Sequence, residues 1–284
     1  MKAVAVIVAR MTSNRLPGKP LLALGGKTNI ERHVERLHFI NGLSETYLAT
    51  AKSEENDPLV FEAKRLGLKV YRGEEEDIVE RFEGVAAVSG ADVLVRIGCD
   101  KPFFCFDILQ KALNEYDGED YVYLPRNVLK GVRHELISSR SIQEIHQHYR
   151  GTAVAQLMRQ RPHQFRIKIQ QVDKVYERPE YRLDLDTPED YELLNSIFDH
   201  FPSESLIHSR DAIAFLDDNP ELALINREVQ EKNVNLYSDL LEEKNVFNIV
   251  VDDNGRYVVF DRMGDRIPYL EFNSLVHDKK RWTS

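Results

Sequence analysis

Five basic residues, Lys2, Arg10, Arg15, Lys19 and Lys27, stand at the start of the chain, and no carboxylate joins them before Glu31. Arg10, Arg15 and Lys19 fall within ARMTSNRLPGKPL, which also holds Ser13 and Gly18. Guanidinium groups grip two oxygens at once, an ammonium adds a point charge, and the N–H groups of a glycine-containing loop complete a cradle for a polyphosphate. The G-x-x-x-x-G-K-[ST] spacing of a P-loop is absent, and a solvated basic loop is the plainer use of the same residues. Two carboxylate features complement the cations. Gly98-Cys99-Asp100-Lys101-Pro102 follows an apolar run, and Arg182-Leu183-Asp184-Leu185-Asp186-Thr187-Pro188 puts Asp184 and Asp186 on one face of an extended segment. Cations and carboxylates at one place suit a nucleoside triphosphate with magnesium, the cations taking phosphates while Asp100 and Asp186 hold a partly hydrated Mg²⁺. Taken alone, Asp186 and Thr187 read as a turn residue and a helix cap.

These residues can cooperate only if the fold brings distant segments to one edge. Apolar runs read as strands at Val4 to Ala9, Thr46 to Thr50, Lys69 to Tyr71, Val93 to Ile97, Tyr121 to Leu124, Phe165 to Gln170 and Arg182 to Leu185. Helical periods lie between them, over Asn29 to Phe39, Asp57 to Leu66, Ile78 to Val88 and Phe106 to Tyr116, and more weakly over 138–149 and 152–161. This alternation predicts an α/β domain built on a mostly parallel sheet with helices on both faces, whose strand ends collect ligands. Thr187-Pro188-Glu189-Asp190 marks the sharpest helix start, with an N-cap hydroxyl, proline at the first turn and a capping-box carboxylate. After Pro202 the pattern changes to short helices over 209–244 and a hairpin, Asn248 to Val251 and Tyr257 to Phe260, around Asp252-Asp253-Asn254-Gly255. The expected division is a domain over 1–204 and a small α+β appendage over 205–284 that can cover the acceptor site or form a homodimer.

The chain has 284 residues, 38 Lys+Arg against 47 Asp+Glu, and a net charge of −9. That balance argues against non-specific nucleic-acid binding. No apolar run approaches the roughly 18 residues a membrane span needs, and no cleavage site follows the first strand, so a cytoplasmic protein without membrane contact is expected. Cys99 and Cys105 fit neither a redox pair nor a four-ligand zinc site and read as reduced thiols.

The segment ARMTSNRLPGK resembles the A-R-x-G-S-x-R-L-P-G-K opening of the CMP-sugar cytidylyltransferases. YRGEEEDIVERF resembles the R-G-x-x-x-D-V-L-x-R-[FY] segment of that family's spore-coat-polysaccharide branch, GCDKP its G-D-x-P, and RLDLDTPEDYELL its D-T-P-E-D-x-E close. The resemblance covers about residues 3 to 201, with Thr12 and Cys99 standing where the family usually has glycine. It implies a Rossmann-like nucleotidyltransferase fold of glycosyltransferase-A type and transfer of CMP from CTP to a nonulosonate-like sugar acid, with Mg²⁺ as cofactor and pyrophosphate released, for surface polysaccharide assembly. It further implies catalytic roles for Arg10 and Lys19, nucleotide binding by Ala9, Arg10, Ser13, Arg15 and Lys19, and metal ligation by Asp100 and Asp186. Asp77 and Arg81 reach the base, ribose or acceptor on this reading, or form a surface i,i+4 pair. Arg126, Arg133, His134 and Glu135 are candidates for an acceptor wall, whereas His146 and His148 read as an exposed helix end. The competing functions are transfer to a phosphate or phosphonate acceptor, a nucleotide-sugar-dependent glycosyltransferase, and a non-catalytic nucleotide-binding protein.

Overall fold

The run AVAVIV forms β1 (Ala3–Val8), buried on both sides as a central parallel strand must be. The computed structural model describes residues 1–229 except 153, 156–157, 160–161 and 203–205, together with the backbone of Val246–Val251, Tyr257–Asp261 and Arg266–Ile267. Eight more strands follow in its main unit: β2 (Ala23–Leu24), β3 (Lys27–Thr28), β4 (Leu43–Ala51), β5 (Lys69–Gly73), β6 (Val93–Gly98), β7 (Tyr121–Tyr123), β8 (Glu135–Ser138) and β9 (Ile167–Ile169). Seven of them make one sheet in the order β5-β4-β1-β6-β8-β7-β9, while β2 and β3 pair as a separate hairpin. Within the large sheet β8 alone is antiparallel to its neighbours. The expected α/β architecture is therefore present. Register aligns Val8 with Ala49 on one side and Gly98 on the other, so the chain leaves β1 and β6 at one level of one edge.

Alternation along β1 sends Ala3, Ala5 and Ile7 to a core shared with Ile30, Leu37, Leu59 and Leu109, which come from helices Asn29–Leu37, Asp57–Arg65 and Phe106–Asn114. The opposite face takes the helices Ile78–Ser89 and Ser139–His148, with Val79, Phe82, Val85, Ile142 and Ile145 fully buried. Asp77 caps the first of these by accepting from the Glu80 N–H, and Ser138 caps the second. A second core gathers Phe103, Tyr176, Leu183, Leu193, Phe198, Ile207, Ile213 and Leu216 around the helices Pro188–His200 and Ser209–Asp218.

Several sequence expectations change. Arg182 to Leu185 is not a ladder strand: it makes one isolated bridge, Lys130 with Arg182, and is held by Leu183 N to Lys130 O (2.9 Å) and Leu185 N to Asp100 O (2.8 Å). Gly131 permits this approach, since a Cβ there would lie 2.4 Å from the Leu183 carbonyl. The polar stretch before 138 contains β8, a four-residue strand too short for its alternation to stand out. The helix expected over 152–161 lies partly outside the described residues.

The main unit comprises Met1–Val154 and Ile167–Val229, so it runs past the division expected after residue 204. The reason is packing. Ile207, Ala212, Ile213 and Leu216 are core members, Arg36 donates to Ile207 O (2.6 Å), and Ser209 Oγ donates to Phe103 O (2.8 Å). The second unit, Ala155–Arg166 with Gln230–Ser284, contains an antiparallel sheet of β10 (Val246–Val251), β11 (Tyr257–Asp261) and β12 (Arg266–Ile267). Its first two strands are the expected hairpin, and the turn between them lies outside the described residues. Among the described residues no helix is long and apolar enough to cross a membrane.

Candidate active site

The basic loop leaves β1 at Ala9, whose N–H still donates to Ala49 O at 3.3 Å, and closes on itself through Gly18 N to Met11 O at 2.9 Å. Asn56 Oδ1 accepts from Met11 N (2.9 Å), which fixes the start of the loop. Asn29 fixes its end: Nδ2 donates to Lys19 O (3.2 Å) and to Cys99 O (2.6 Å), so one buried amide joins the segments leaving β1 and β6. His33, one turn further along the same helix, lies between Asn29 O (2.8 Å) and Gly98 O (3.2 Å). Burial pushes its pKa down to about 4, against those two carbonyls.

The carboxylates missing from the loop's own sequence are supplied from elsewhere. Asp186 Oδ1 is 2.6 Å from Lys19 Nζ, and Oδ2 is 3.0 Å from Arg15 Nη2 and 3.2 Å from Arg182 Nη2. Arg10 Nη1 meets Glu76 Oε1 at 2.7 Å and Glu75 Oε1 at 3.0 Å. Ser13 is half-buried in the same loop. The structure thus brings Arg15, Lys19 and Asp186 together, while in this state Arg10 faces the segment after β5.

Asp100 follows β6, and its carboxylate folds back over Gly98, where any Cβ would sit 2.1 Å from Oδ1. Burial disfavours its charge, yet the ammonium groups of Lys101 and Lys19 hold its pKa well below the usual carboxylate range. Lys101 Nζ lies 2.9 Å from Asp100 Oδ2 and 3.6 Å from Asp184 Oδ1. Asp184 itself is raised, chiefly by burial, which outweighs the lowering by Lys101 and Arg182, with Asp100 and Asp186 adding to the rise. The three aspartates therefore share one electrostatic neighbourhood.

Behind them Arg182 is the organising group. Its Nε and Nη2 hold both oxygens of the fully buried Asp190 (2.9 and 3.2 Å), its Nη2 also reaches Asp186, and its Nη1 is 3.3 Å from Asp184 Oδ2. Asp190 completes the Thr187 capping box and accepts from the N–H groups of Asp186 (2.9 Å) and Thr187 (3.1 Å). Asn226 Nδ2 donates to Asp190 Oδ1 (2.8 Å) and Arg182 O (3.0 Å). The turn-residue and cap readings of Asp186 and Thr187 thus hold alongside the ionic one. Sequence alone assigns no role to Asn29, Lys101, Arg182 or Asn226; Lys101 and Arg182 are marked only by their place inside the two carboxylate motifs, whereas the reach of Asn29 and Asn226 depends on the fold.

The remaining candidates occupy other settings. Asp77 accepts from Glu80 N (3.0 Å) and Gly151 N (3.1 Å), so its carboxylate serves two N–H groups rather than a surface pair with Arg81. Arg81 is buried at the end of β4, near Ala49 O and Glu75 O (each 3.4 Å), and its Nε has no hydrogen-bond partner. Arg133 donates to Val128 O and to Arg126 O (2.6 Å), stapling the loop after β7, while Arg126 is exposed. Glu135 accepts from Arg96 and Tyr121, and His134 is buried with its pKa pushed down to about 4 by that burial.

A magnesium ion takes one or two carboxylates and completes its octahedron with water and substrate phosphates. Asp100 and Asp186 supply hard oxygens beside the same lysine, and a buried Asp184 oxygen without a hydrogen-bond partner lies next to them. Among the described residues no cluster of three or more ligating side chains forms. The residues present fit such an ion.

The sequence model of the family described as "Cytidylyltransferase" matches residues 4–239. The chain belongs to the cytidylyltransferase family. Among curated relatives, this cytidylyltransferase is 28% identical over 230 residues to spore coat polysaccharide biosynthesis protein SpsF of Bacillus subtilis, covering 77% of this chain and 95% of the relative. It is 38% identical over 104 residues to 3-deoxy-manno-octulosonate cytidylyltransferase of Escherichia coli, over 36% and 40% of the two chains. A solved cytidylyltransferase from Leptospira borgpetersenii has the same fold, with a TM-score of 0.73 at 24% identity over 82% of this chain and all of that one. The family makes this protein a nucleotidyltransferase enzyme.

The two departures from the cytidylyltransferase pattern acquire physical meaning in this setting. Thr12, in place of glycine, donates its hydroxyl to Glu75 Oε1 at 2.8 Å and so joins the loop to the carboxylates that hold Arg10. Cys99 is buried, and burial pushes its thiol up to about 12, which leaves it a small core side chain rather than a nucleophile.

Proposed function

We propose that this cytidylyltransferase transfers CMP from CTP to a sugar acid of the 3-deoxy-octulosonate or nonulosonate type, with release of pyrophosphate, in the cytoplasmic stage of surface polysaccharide synthesis. The observation that carries the reading is the closure of Asp186, from far along the chain, onto Arg15 and Lys19 of the loop leaving β1. Those two cations bind a carboxylate here, and a triphosphate offers them more charge and more oxygens. The names of the relatives, a 3-deoxy-manno-octulosonate cytidylyltransferase and a spore coat polysaccharide protein, support the acceptor class.

An acceptor oxygen attacks the α-phosphorus, its bond to the bridging oxygen breaks, and the electron pair leaves with pyrophosphate. Catalysis of such a step is largely positioning and charge stabilisation. Arg15 grips the terminal phosphates, Lys19 and Arg10 neutralise the α- and β-phosphoryl oxygens as charge shifts to the leaving group, and Ser13 with the loop N–H groups orients the chain of phosphates. Arg10 must exchange Glu75 and Glu76 for phosphate to do so. Asp100 and Asp186 would hold a magnesium ion, which would supply neutralisation of phosphate charge. Arg182 and Asp190 keep Asp186 pointed at the loop, and Asn29 keeps the two loops in register. Arg81, with its unpartnered Nε, and the backbone beside Asp77 face the nucleoside. Arg126 is assigned to the acceptor carboxylate, with Arg133 and Glu135 shaping the wall behind it.

Mass spectrometry of a reaction containing CTP, Mg²⁺ and a 3-deoxy-octulosonate should show the CMP-linked sugar acid. Formation of a CMP adduct only with phosphate or phosphonate acceptors would move the assignment to that acceptor class.

A further inference from the structure

Lys101 lies between two acidic side chains, Asp100 and Asp184, and the mechanism gives it no role. Its Nζ lies 2.9 Å from Asp100 Oδ2 and 3.6 Å from Asp184 Oδ1. Asp184 is only 8% exposed, and its Oδ1 has no hydrogen-bond partner, while its other oxygen faces Arg182 Nη1 at 3.3 Å. Asp100 is fixed from two sides: its carbonyl accepts from Leu185 N at 2.8 Å, and its carboxylate lies against Gly98. Two carboxylates, one of them with a buried oxygen that accepts no hydrogen bond, thus flank the Lys101 ammonium. Two-metal phosphoryl-transfer sites place a second divalent ion in such a setting.

We infer that Lys101 is a built-in cation that takes the position of a further divalent ion between Asp100 and Asp184, leaving the outer side of Asp100 and Asp186 for the ion that meets the substrate. The inference rests on the proposed placement of Mg²⁺ at Asp100 and Asp186. An ammonium brings one charge and three donors on a chain tethered to the next residue, so it is present at every turnover and independent of the metal supply. It also explains why Asp184 is tolerated in the interior: a buried carboxylate needs a paired charge, and Lys101 and Arg182 supply it from two sides. The site then gains a metal position if the ammonium is removed.

Counting bound Mn²⁺ by electron paramagnetic resonance tests this, using the full chain with a CTP analogue that carries a methylene between the α- and β-phosphorus. Lys101→Met should bind one more Mn²⁺ per chain than the wild type, Lys101→Arg should bind the wild-type number, and Asp186→Asn should lose an ion. Without nucleotide, Mn²⁺ should raise the Tm of Lys101→Met more than that of the wild type, because the ion relieves the facing carboxylates. Lys101→Gln provides the same comparison with a polar side chain if the methionine variant folds poorly. An unchanged ion count with equal thermal shifts in the neutral variants would overturn the inference while leaving the metal placement intact. An ion count unaffected by Asp186→Asn would instead contradict the placement on which the inference stands.

Discussion

Asp186 serves three cations at once: Oδ1 meets Lys19, and Oδ2 is shared by Arg15 of the basic loop and Arg182 behind it. Asp186→Asn keeps the size of the side chain but removes the anion, so turnover should fall by about 10² or more, the usual scale for an electrostatic group that acts in the transition state. Steady-state kinetics across a magnesium series would check this, and wild-type kcat would return Asp186 to a purely structural role beside Thr187. Lys19→Ala and Arg15→Ala act on the substrate side. Each should weaken CTP binding about tenfold or more while leaving cytidine binding nearly unchanged, because charge-assisted bonds to phosphate are the contacts removed. Calorimetric titration with both ligands gives the comparison, and equal losses would contradict the phosphate role. These residues were legible in the sequence because each follows or ends an apolar run and carries a charge the core cannot hold. Their partners were not. Arg10 and Glu75, or Lys19 and Asp186, are separated by long stretches of chain, and only the sheet order brings them together.

Among the elements, the helix Asn29–Leu37 does more than cover the sheet, since Asn29 and His33 tie the β1 and β6 exits together. His33 is fully buried, and its folded pKa of about 4 lies below the value near 6.5 of an unfolded chain. The unfolded state therefore binds the proton first, and stability that is complete above pH 6.5 is lost as pH falls towards 4, by up to about 3 kcal/mol for this group. His134, buried with the same direction of shift, adds to the fall over the same window. Thermal melts from pH 7 to 4.5 should show a declining Tm, and His33→Gln should flatten part of the decline; a Tm independent of pH over that range would contradict the buried neutral imidazoles. The Arg182–Asp190 pair behind Asp186 gives a second element-level test. Asp190→Asn leaves a buried guanidinium short of its main partner and should cost about 3 kcal/mol in urea unfolding. A change within about 0.5 kcal/mol would show that Asn226 and the helix cap suffice without it. The capping box at Thr187 could be read from four consecutive residues. β8 could not, because a four-residue strand opening on Glu135 shows its register only when Arg96 and Leu136 find their neighbours.

For the whole molecule, the motifs that carry the family resemblance end near Phe201, but the core and the family match run on. Ile207, Ile213 and Leu216 are almost fully buried against Phe103, Leu193 and Phe198, and each is worth roughly 1.5–3 kcal/mol of burial. A 1–204 fragment should consequently aggregate or melt without cooperativity. Adding residues to 229 should restore that missing core, as read by light scattering and calorimetry of the two fragments. A cooperative melt of the shorter one would show that the segment is dispensable. The sequence suggested an earlier boundary because Pro202 interrupts the helical pattern, and the apolar residues beyond it carry no mark of the surface they cover. The acidic whole, with a net charge of −9, carries three of its five early cations on the loop leaving β1, a setting that attracts anions. Cytidylyl transfer to a sugar acid is tested most directly by pyrophosphate release measured across the four common nucleoside triphosphates, each with a panel of sugar acids and Mg²⁺. Release is expected with CTP and a 3-deoxy-octulosonate or nonulosonate, and it should be abolished in Asp186→Asn. Release that favours another nucleotide, or none with any CTP and sugar-acid pair, would contradict it.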